Sequence, residues 1–218
     1  MKKSEYSAIV FDCDGVIFNS NGLKTQAFRE VLSSYSSDVI DKFIQYHQLS
    51  GGISRYVKSR VFHADFLKVK AEESLIESQI TKFWQICRSL YKTAELTPGC
   101  LGALEHLVQK NLLYIASGGA EDELSDVLKD RGLADYFKMI LGSPKKKSEC
   151  LREIVELEKS KQIVFVGDSK ADLIASQKEG LSFVFMSPFS DAKDEMLLEA
   201  QHHGIPVINT LSELKRLL

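Results

Sequence analysis

The stretch AIVFDCDG, residues 8–15, decides the predicted fold, because four apolar residues are followed at once by two acids and a glycine. An unbroken apolar run of this length is typical of a strand that is buried on both faces of a parallel sheet. Side chains two positions apart on an extended segment point the same way, so Asp12 and Asp14 are predicted to share one pocket. Gly15 permits a sharp turn directly behind them.

The same pattern recurs along the chain. Two further apolar runs are followed by small or acidic residues, and three weaker runs accompany them. The runs are Leu112–Ala116 before Ser117-Gly118-Gly119, Ile163–Val166 before Gly167-Asp168, and the weaker Met139–Leu141, Ser182–Met186 and Pro206–Ile208. Apolar residues spaced three or four apart predict helices around residues 101–108, 124–128, 150–157, 173–176 and 211–217. This alternation predicts an α/β fold with a doubly wound, Rossmann-like parallel sheet.

The long segment after the first strand breaks the alternation. It has no convincing buried strand, whereas apolar residues at helical spacing predict helices around 39–47, 56–62 and 75–87. We therefore predict a core domain formed by residues 1–20 and 96–218 and an inserted, all-helical cap domain formed by residues 21–95. An insert of this size is within the ordinary range of domain lengths.

Composition excludes several classes of protein. The chain has 218 residues, is 44% apolar and 27% charged, and carries a formal net charge of -2, which is ordinary for a soluble globular protein. This balance of charge gives no reason to expect nucleic acid or an anionic membrane surface as a partner. The 4 cysteines are scattered, so neither a disulfide framework nor a zinc site is expected. No apolar stretch is long enough for a signal peptide or a membrane helix, and we expect a cytoplasmic protein.

The ends of the predicted strands carry the acids of the candidate site. Ligands bind at the carboxyl ends of the strands in open α/β sheets. The acids found there are Asp12, Asp14, Asp168 and Asp172. Carboxylates this close need a cation between them or a shared proton, so we expect a hard cation such as Mg²⁺ together with a protonated Asp14. For Asp172, capping of the following helix is an alternative role.

Two other segments offer groups for an anionic substrate. The small residues Ser117 and Gly118 are predicted to form a turn whose N–H groups cradle phosphate oxygens, although a plain connecting turn explains them equally well. The run Lys145, Lys146 and Lys147 concentrates positive charge ahead of a helical pattern. One of these lysines is expected to reach the site, and the others to be solvated.

Taken in order, these motifs resemble those of the haloacid dehalogenase superfamily. The segment 12–16, DCDGV, is similar to the family's DxDGV, and the segment 167–172, GDSKAD, is similar to its GDSxxD. Ser117 and a lysine ahead of a helix match the remaining two signatures. Lys147 stands four residues before the apolar Leu151, as in many relatives, whereas the family's other pattern, Lys-Pro-x-Pro, would select Lys145 but lacks both prolines here.

The resemblance implies a role for each site residue. It makes Asp12 the nucleophile, Asp14 the acid and base, and Lys147 the third catalytic group. Ser117 and Gly118 would bind the phosphoryl group. The implied ligands of Mg²⁺ are Asp12, Asp14 through its carbonyl, Asp168 and Asp172, the last as a ligand or an outer partner.

The implied activity is a Mg²⁺-dependent phosphatase that hydrolyses a small phosphorylated metabolite, for example a sugar phosphate, through an aspartyl-phosphate intermediate. A phosphomutase of the β-phosphoglucomutase type uses the same residues and stays open as an alternative. A non-catalytic binding module on the same fold is the third hypothesis, which the presence of every required acid disfavours. The expected partner is a small-molecule phosphate ester, and the expected state is a monomer or a small homo-oligomer.

The predicted cap contains one segment with substrate-reading chemistry. Gly52, Ser54 and Arg55 combine flexibility, a hydroxyl and a guanidinium within four residues, and Arg55 is suited to a second anionic group of the substrate. The alternative is an ordinary turn between two helices in which Ser54 caps the second helix. Specificity is therefore predicted to lie in the cap.

Overall fold

The computed structural model describes residues 6–217. The first five residues of the predicted core segment 1–20, and Leu218, lie outside this range. Within it the core is one six-stranded sheet in the order β3-β2-β1-β4-β5-β6, and every pairing is parallel. The strands are β1 (Ala8–Phe11), β2 (Leu112–Ala120), β3 (Met139–Ser143), β4 (Ile163–Gly167), β5 (Ser182–Met186) and β6 (Val207–Ile208).

Ten α-helices connect or follow these strands in the described part of the chain. They are α1 (Asn21–Val31), α2 (Ser37–Leu49), α3 (Arg55–Val61), α4 (Glu73–Tyr91), α5 (Cys100–Leu107), α6 (Glu121–Asp130), α7 (Lys147–Glu158), α8 (Lys170–Glu179), α9 (Lys193–His203) and α10 (Leu214–Leu217). A π-helical turn, Phe62–Phe66, continues α3, and 3₁₀ turns occupy Ala134–Tyr136 and Leu211–Glu213.

The central strand explains why the sheet needs helices on both faces. All four residues of β1 are fully buried, and Phe11 pairs with Ile115 on one side and Val166 on the other. Ile9 and Phe11 pack with α5, α6 and α10, whereas residues 8 and 10 pack with α7, α8 and α9. Because alternate side chains point to opposite faces, the unbroken apolar run fills two cores at once. The predicted doubly wound α/β fold is confirmed.

The helices α1–α4 follow β1 in the sequence, before the other strands of the sheet, and they pack together as one group. Helix α1 packs against α2 and α4, and α3 packs against α4. An aromatic cluster of Phe28, Phe43, Phe62 and Phe83 joins α1, α2 and α4 to the π-helical turn that continues α3. A helical insertion in this position is the architecture that the sequence predicts, and its boundaries at 21 and 95 stay a prediction.

The sequence patterns miss two helices and wrongly predict one turn. The sequence pattern does not predict α1 and α9, because few apolar residues mark their buried faces: Ala27, Phe28 and Val31 in α1, Met196 and Ala200 in α9. The predicted turn at Ser117-Gly118-Gly119 is wrong, because β2 continues through it to Ala120. Pairing of Ala120 with Ser143 of β3 extends the strand across a register irregularity. In residues 6–217, no helix has the length and hydropathy needed to cross a membrane.

One apolar cluster runs from the sheet into the helical insertion, so we predict that both unfold in a single transition. Phe43 is fully buried in this cluster, and Phe43→Ala is expected to lower the free energy of unfolding by about 3–5 kcal/mol. Leu49→Ala, on the same helix but 66% exposed, should change it by less than about 0.5 kcal/mol. Urea unfolding followed by circular dichroism measures both. Two separate transitions, with only one moved by Phe43→Ala, would contradict the prediction.

Candidate active site

The carboxyl ends of β1, β2 and β4 lie side by side and bring distant residues together. The Asp12 amide donates to Val166 O at 2.9 Å, which fixes the end of β1 beside that of β4. An open cavity lies over this edge, and its empty space, including solvent-open space, is about 960 Å³. Its lining includes Asp12, Asp14, Ser117, Gly118 and Asp168 from the strand ends, and Lys24, His47, Gly52, Arg55 and Lys58 from the helical insertion.

Three buried acids converge beneath this cavity. One carboxylate oxygen from each of Asp12, Asp168 and Asp172 lies within 4.8 Å of the others. Lys147 approaches the group from α7, with its Nζ 3.0 Å from Asp12 Oδ2, and donates a hydrogen bond to Asp172. The other carboxylate oxygen of Asp12 is buried and has no hydrogen-bond partner. One oxygen of the Asp12 carboxylate is therefore paired with a cation, and the other has no hydrogen-bond partner in the protein.

Burial sets the charge state of this cluster. Burial raises the pKa of Asp12 to about 7, against the opposing charge of Lys147 and with the support of Asp172 and Asp14. The pKa of Asp168 is raised well above its ordinary value by burial and then by the carboxylates of Asp172 and Asp12. Burial also opposes the charge on Lys147, but Asp12 and Asp172 outweigh it, so its pKa is raised.

These residues fit a divalent cation. Across the described residues, four buried carboxylates of the site are in contact with only two ammonium groups, an excess of two negative charges in this contact group when all are ionised. The groups are Asp12, Asp14, Asp168 and Asp172 against Lys24 and Lys147. Mg²⁺ takes oxygen ligands and would supply this missing charge. The unpartnered Asp12 oxygen is the kind of atom that such an ion satisfies.

Asp14 has a different environment from Asp12. Its carboxylate accepts a hydrogen bond from Ser20 Oγ at 2.6 Å and further hydrogen bonds from Lys24 Nζ and the Tyr91 hydroxyl. Burial raises the pKa of Asp14, but the charge of Lys24 and the three donated hydrogen bonds outweigh burial, and the net result is a lowered pKa. The sequence predicts that a shared proton resides on Asp14. In the structure these donors favour the ionised Asp14, and it is the pKa values of Asp12 and Asp168 that are raised.

Asp172 has the capping role considered for it, whereas its part in binding a metal stays a prediction. It is the third residue of α8, and its Oδ2 accepts from the amides of Asp168 and Ser169 and from Ser169 Oγ in a reciprocal cap. Its Oδ1 accepts from Lys147. Both carboxylate oxygens of Asp172 are thus bonded within the protein. Asp172 orients Lys147 and is also one of the three acids of the cluster.

The lysine run divides as the helix spacing predicts. Lys147 is buried in the site, whereas Lys145 pairs with Glu153 at 2.8 Å and Lys146 is exposed at the start of α7. On β2, Ser117 is buried and its Oγ accepts the Gly119 amide at 3.2 Å. Ser117 and Gly118 reach the cavity from the end of a strand, not from a turn.

The loop before α3 touches the core. Gly52 has φ of +77°, a conformation that favours glycine, and a Cβ there would lie 3.2 Å from Lys147 Nζ. A Cβ on Gly118 would lie only 2.4 Å from Gly52 O, so the two main chains are in direct contact. Ser54 precedes α3 without a side-chain capping bond and does not line the cavity.

Arg55 does not present a free charge to the cavity. Its two Nη atoms donate to the two oxygens of Glu123 on α6, and both side chains are largely buried. The guanidinium also lies over the rings of Tyr56 and Phe83. In this arrangement Arg55 fastens the helical insertion to the core, and its charge is already neutralised.

Several residues of the site are not indicated by the sequence motifs. Asn21 Nδ2 donates to Asp168 Oδ2 at 2.7 Å and to Phe189 O at 2.8 Å, and Ser20 and Tyr91 hold Asp14. Because Ser20 and Asn21 lie just beyond the DxDGV-like segment, their position in the sequence could have indicated them as candidate site residues. Tyr91 is 77 residues from Asp14 in sequence, and no local pattern indicates that contact.

We predict that Gly118→Ala destabilises the protein, because the added methyl group collides with main chain and not with a movable side chain. Overpacking of this kind costs about 1–3 kcal/mol. Gly102→Ala is the matched control, since Gly102 is exposed on α5 and an added Cβ would meet no atom within 4 Å. It should stabilise by about 0.5–1 kcal/mol. Chemical denaturation of both variants measures the difference. A Gly118→Ala variant as stable as wild type would show that the contact is not maintained.

The fold is shared with solved structures at low sequence identity. Similar structures include a hydrolase from Pseudomonas syringae, with a TM-score of 0.77, 18% identity and 97% of each chain covered. A predicted phosphoglycolate phosphatase from Haemophilus somnus has a TM-score of 0.73, 16% identity and 98% of each chain covered. A magnesium-bound HAD hydrolase from Bacillus subtilis has a TM-score of 0.67, 22% identity and 98% of each chain covered. At these identities, the likenesses establish the fold alone.

Sequence comparison establishes the family. No curated protein matches the chain significantly. The model of the haloacid dehalogenase-like hydrolases matches residues 6–180, which is most of the chain and includes every strand end of the site. This match confirms the resemblance seen in the motifs, and the chain belongs to the haloacid dehalogenase-like hydrolase family.

Proposed function

We propose that this protein is a Mg²⁺-dependent phosphatase that hydrolyses small phosphate monoesters through a phosphorylated Asp12. The observation that carries this proposal is the Asp12 carboxylate, which has one oxygen paired with Lys147 and the other buried without a partner beside the cavity. A carboxylate fixed in this way is suited to nucleophilic attack, because covalent catalysis replaces one difficult displacement by two easier ones.

In the first step, Asp12 attacks phosphorus and the bond to the leaving alcohol breaks. The alcohol oxygen takes a proton from Asp14, which has to be protonated when this step begins, and the phosphoryl group is then carried by Asp12. The negative charge of the bound phosphate ester favours that protonated form. Lys147 reduces the repulsion between the Asp12 carboxylate and the anionic phosphate, because its charge is held in a buried site. Ser117 and Gly118 line the cavity, and the Ser117 hydroxyl and the Gly118 amide would bind phosphoryl oxygens.

In the second step, water attacks phosphorus and the bond to Asp12 breaks. Asp14 takes the proton from water, which requires its ionised form. The hydrogen bonds from Ser20, Lys24 and Tyr91 favour that form. Free phosphate leaves and Asp12 is regenerated. Release of free phosphate also separates this activity from a phosphomutase, which returns the phosphoryl group to a sugar.

The proposed ligands of Mg²⁺ are Asp12, the carbonyl of Asp14 and Asp168, with Asp172 beside them. When bound, the ion supplies positive charge that stabilises the transferring phosphoryl group. Support for the site comes from the excess of buried negative charge and from the similar Bacillus subtilis hydrolase, which is bound to magnesium. Asn21 orients Asp168 through its hydrogen bond.

We predict that Asp12→Asn abolishes phosphate release, because an amide oxygen is too weak a nucleophile to form the acyl phosphate. The fold should persist, since asparagine has nearly the same shape and removes a charge from a buried site. Asp38→Asn is the control, as Asp38 is an exposed carboxylate paired only with Lys42 on α2. Phosphate release from a panel of sugar phosphates, with circular dichroism, measures both effects. Retained turnover in Asp12→Asn would exclude the proposed nucleophile.

A second prediction concerns the metal and does not depend on turnover. Mg²⁺ at one hundred times its Kd should stabilise the folded protein by about 2.7 kcal/mol, because the ion binds the native acid cluster and not the unfolded chain. Asp168→Asn should remove most of this effect, whereas Asp38→Asn should retain it. Thermal melts at constant ionic strength, with K⁺ replacing Mg²⁺, provide the measurement. An equal Mg²⁺ effect in Asp168→Asn would place the ion elsewhere.

A further inference from the structure

A buried lysine in the wall of the cavity has no carboxylate partner. Lys58 lies on α3 and is only 3% exposed. Its Nζ donates to the main-chain oxygen of His47 at 2.9 Å and lies 2.8 Å from His47 Nδ1. Both residues line the cavity that contains Asp12 and Asp14.

The other cationic side chains of the cavity wall are all paired with acids. Lys24 pairs with Asp14, Arg55 with Glu123, and Lys170 with Glu195. Among residues 6–217, no carboxylate oxygen lies within 4.0 Å of Lys58 Nζ, the distance within which two such groups form an ion pair. A buried ammonium without an anion is costly to maintain, and an anionic ligand would offset that cost.

The hydrogen bonds of Lys58 leave part of its binding capacity unused. Burial, followed by the charge of Lys58, lowers the pKa of His47 to about 2, so the imidazole is neutral. Its Nδ1 can then accept from Lys58, and its Nε2 carries the hydrogen and has no partner. An ammonium has three N–H donors, and His47 accepts two of those of Lys58. One charged donor of Lys58 remains for a ligand.

We propose that Lys58 binds a second anionic group of the substrate, so that the enzyme prefers phosphate monoesters that also carry a carboxylate or a second phosphate. This inference rests on the proposed phosphatase function and assigns its substrate class. The sequence suggests Arg55 for the same task, but Glu123 already neutralises Arg55. Lys58 is the cavity cation whose charge is still available.

Two matched pairs of substrates test the preference. 3-Phosphoglycerate and glycerol 3-phosphate differ by a carboxylate, and fructose 1,6-bisphosphate and fructose 6-phosphate differ by a phosphate. With Mg²⁺ present, wild type should show a higher kcat/KM for the doubly anionic member of at least one pair. The pair that shows this higher kcat/KM identifies the second anionic group as a carboxylate or as a phosphate. Equal kcat/KM values within both pairs would overturn the inference.

Substitution of the lysine tests the residue. Lys58→Met keeps the unbranched shape and most of the length of the side chain and removes its charge. It should lower kcat/KM about 10- to 100-fold for the doubly anionic ester, mostly through KM. The singly anionic ester should change by less than about twofold. Lys42→Met, an exposed lysine on α2, is the control and should change neither. Equal losses for both esters in Lys58→Met would make Lys58 structural and overturn the inference.

The pH dependence provides a readout that a structural role would not change. Burial and then the charge of Lys24 lower the pKa of Lys58 to about 7, with Asp191 and Asp14 opposing and Lys147 assisting that shift. The neutral His47 is the other group facing it. Protonated Lys58 therefore decreases as pH rises through 7. The ratio of kcat/KM within a pair should fall between pH 6 and 8.5 in wild type and stay flat in Lys58→Met.

Binding to inactive enzyme separates this inference from the proposed activity. Calorimetric titration of Asp12→Asn enzyme, with Mg²⁺, should give tighter binding of the doubly anionic ester, and adding Lys58→Met should abolish the difference. If wild type hydrolyses none of the four esters but this difference is found, the phosphatase proposal fails and the anion site stands. If esters are hydrolysed and the difference is absent, the anion site fails alone.

Discussion

The site depends on the contacts of Lys147 with Asp12 and Asp172. Carboxylates buried at this density repel one another, and each loses its hydration. The ammonium of Lys147 touches both, and Asp172 is fixed in turn by the N-terminus of α8. Without Lys147, no cationic side chain of the protein would neutralise Asp12 and Asp172 at the centre of the cluster. Lys147 therefore neutralises part of the charge of Asp12 and Asp172. The negative charge that remains on the acid cluster makes the site suited to a divalent cation.

The helical insertion completes the site as well as covering it. Helices α1 and α4 supply Lys24 and Tyr91, which hold Asp14 in the ionised state. The loop before α3 brings Gly52 against Gly118, and the paired Arg55 and Glu123 fasten the same loop to α6 (Glu121–Asp130). Asp14 thus takes its environment from the insertion, whereas Asp12 takes its environment from the sheet and α7. Two acids separated by one residue are given opposite pKa shifts by different parts of the molecule.

Sequence reasoning succeeds where the signal is local. Strand β1 and the first four residues of β4 are unbroken apolar runs. Because parallel strands end at the same edge, the acids Asp12 and Asp168 can be assigned to one site from the sequence alone. It fails where partners are distant. The strand through Ser117-Gly118-Gly119 depends on pairing with Ser143, and small residues alone suggest a turn. The hydrogen bond from Tyr91 and the neutralisation of Arg55 depend on side-chain packing, which residue type does not encode.

The distribution of partners explains why Lys58 differs from the other cations of the site. In a catalytic cavity, a cation bound to a protein carboxylate stabilises the resting structure, and a ligand must compete with that carboxylate to use it. Lys24, Arg55 and Lys147 all have this constraint. The hydrogen-bond partners of Lys58 are neutral, and Asp191 acts on it only from beyond ion-pair distance. An incoming anion therefore displaces no bonded carboxylate and gains a hydrogen bond in a site of low dielectric. The burial that lowers the pKa of Lys58 also strengthens its attraction for a substrate anion, because no carboxylate among residues 6–217 forms an ion pair with it.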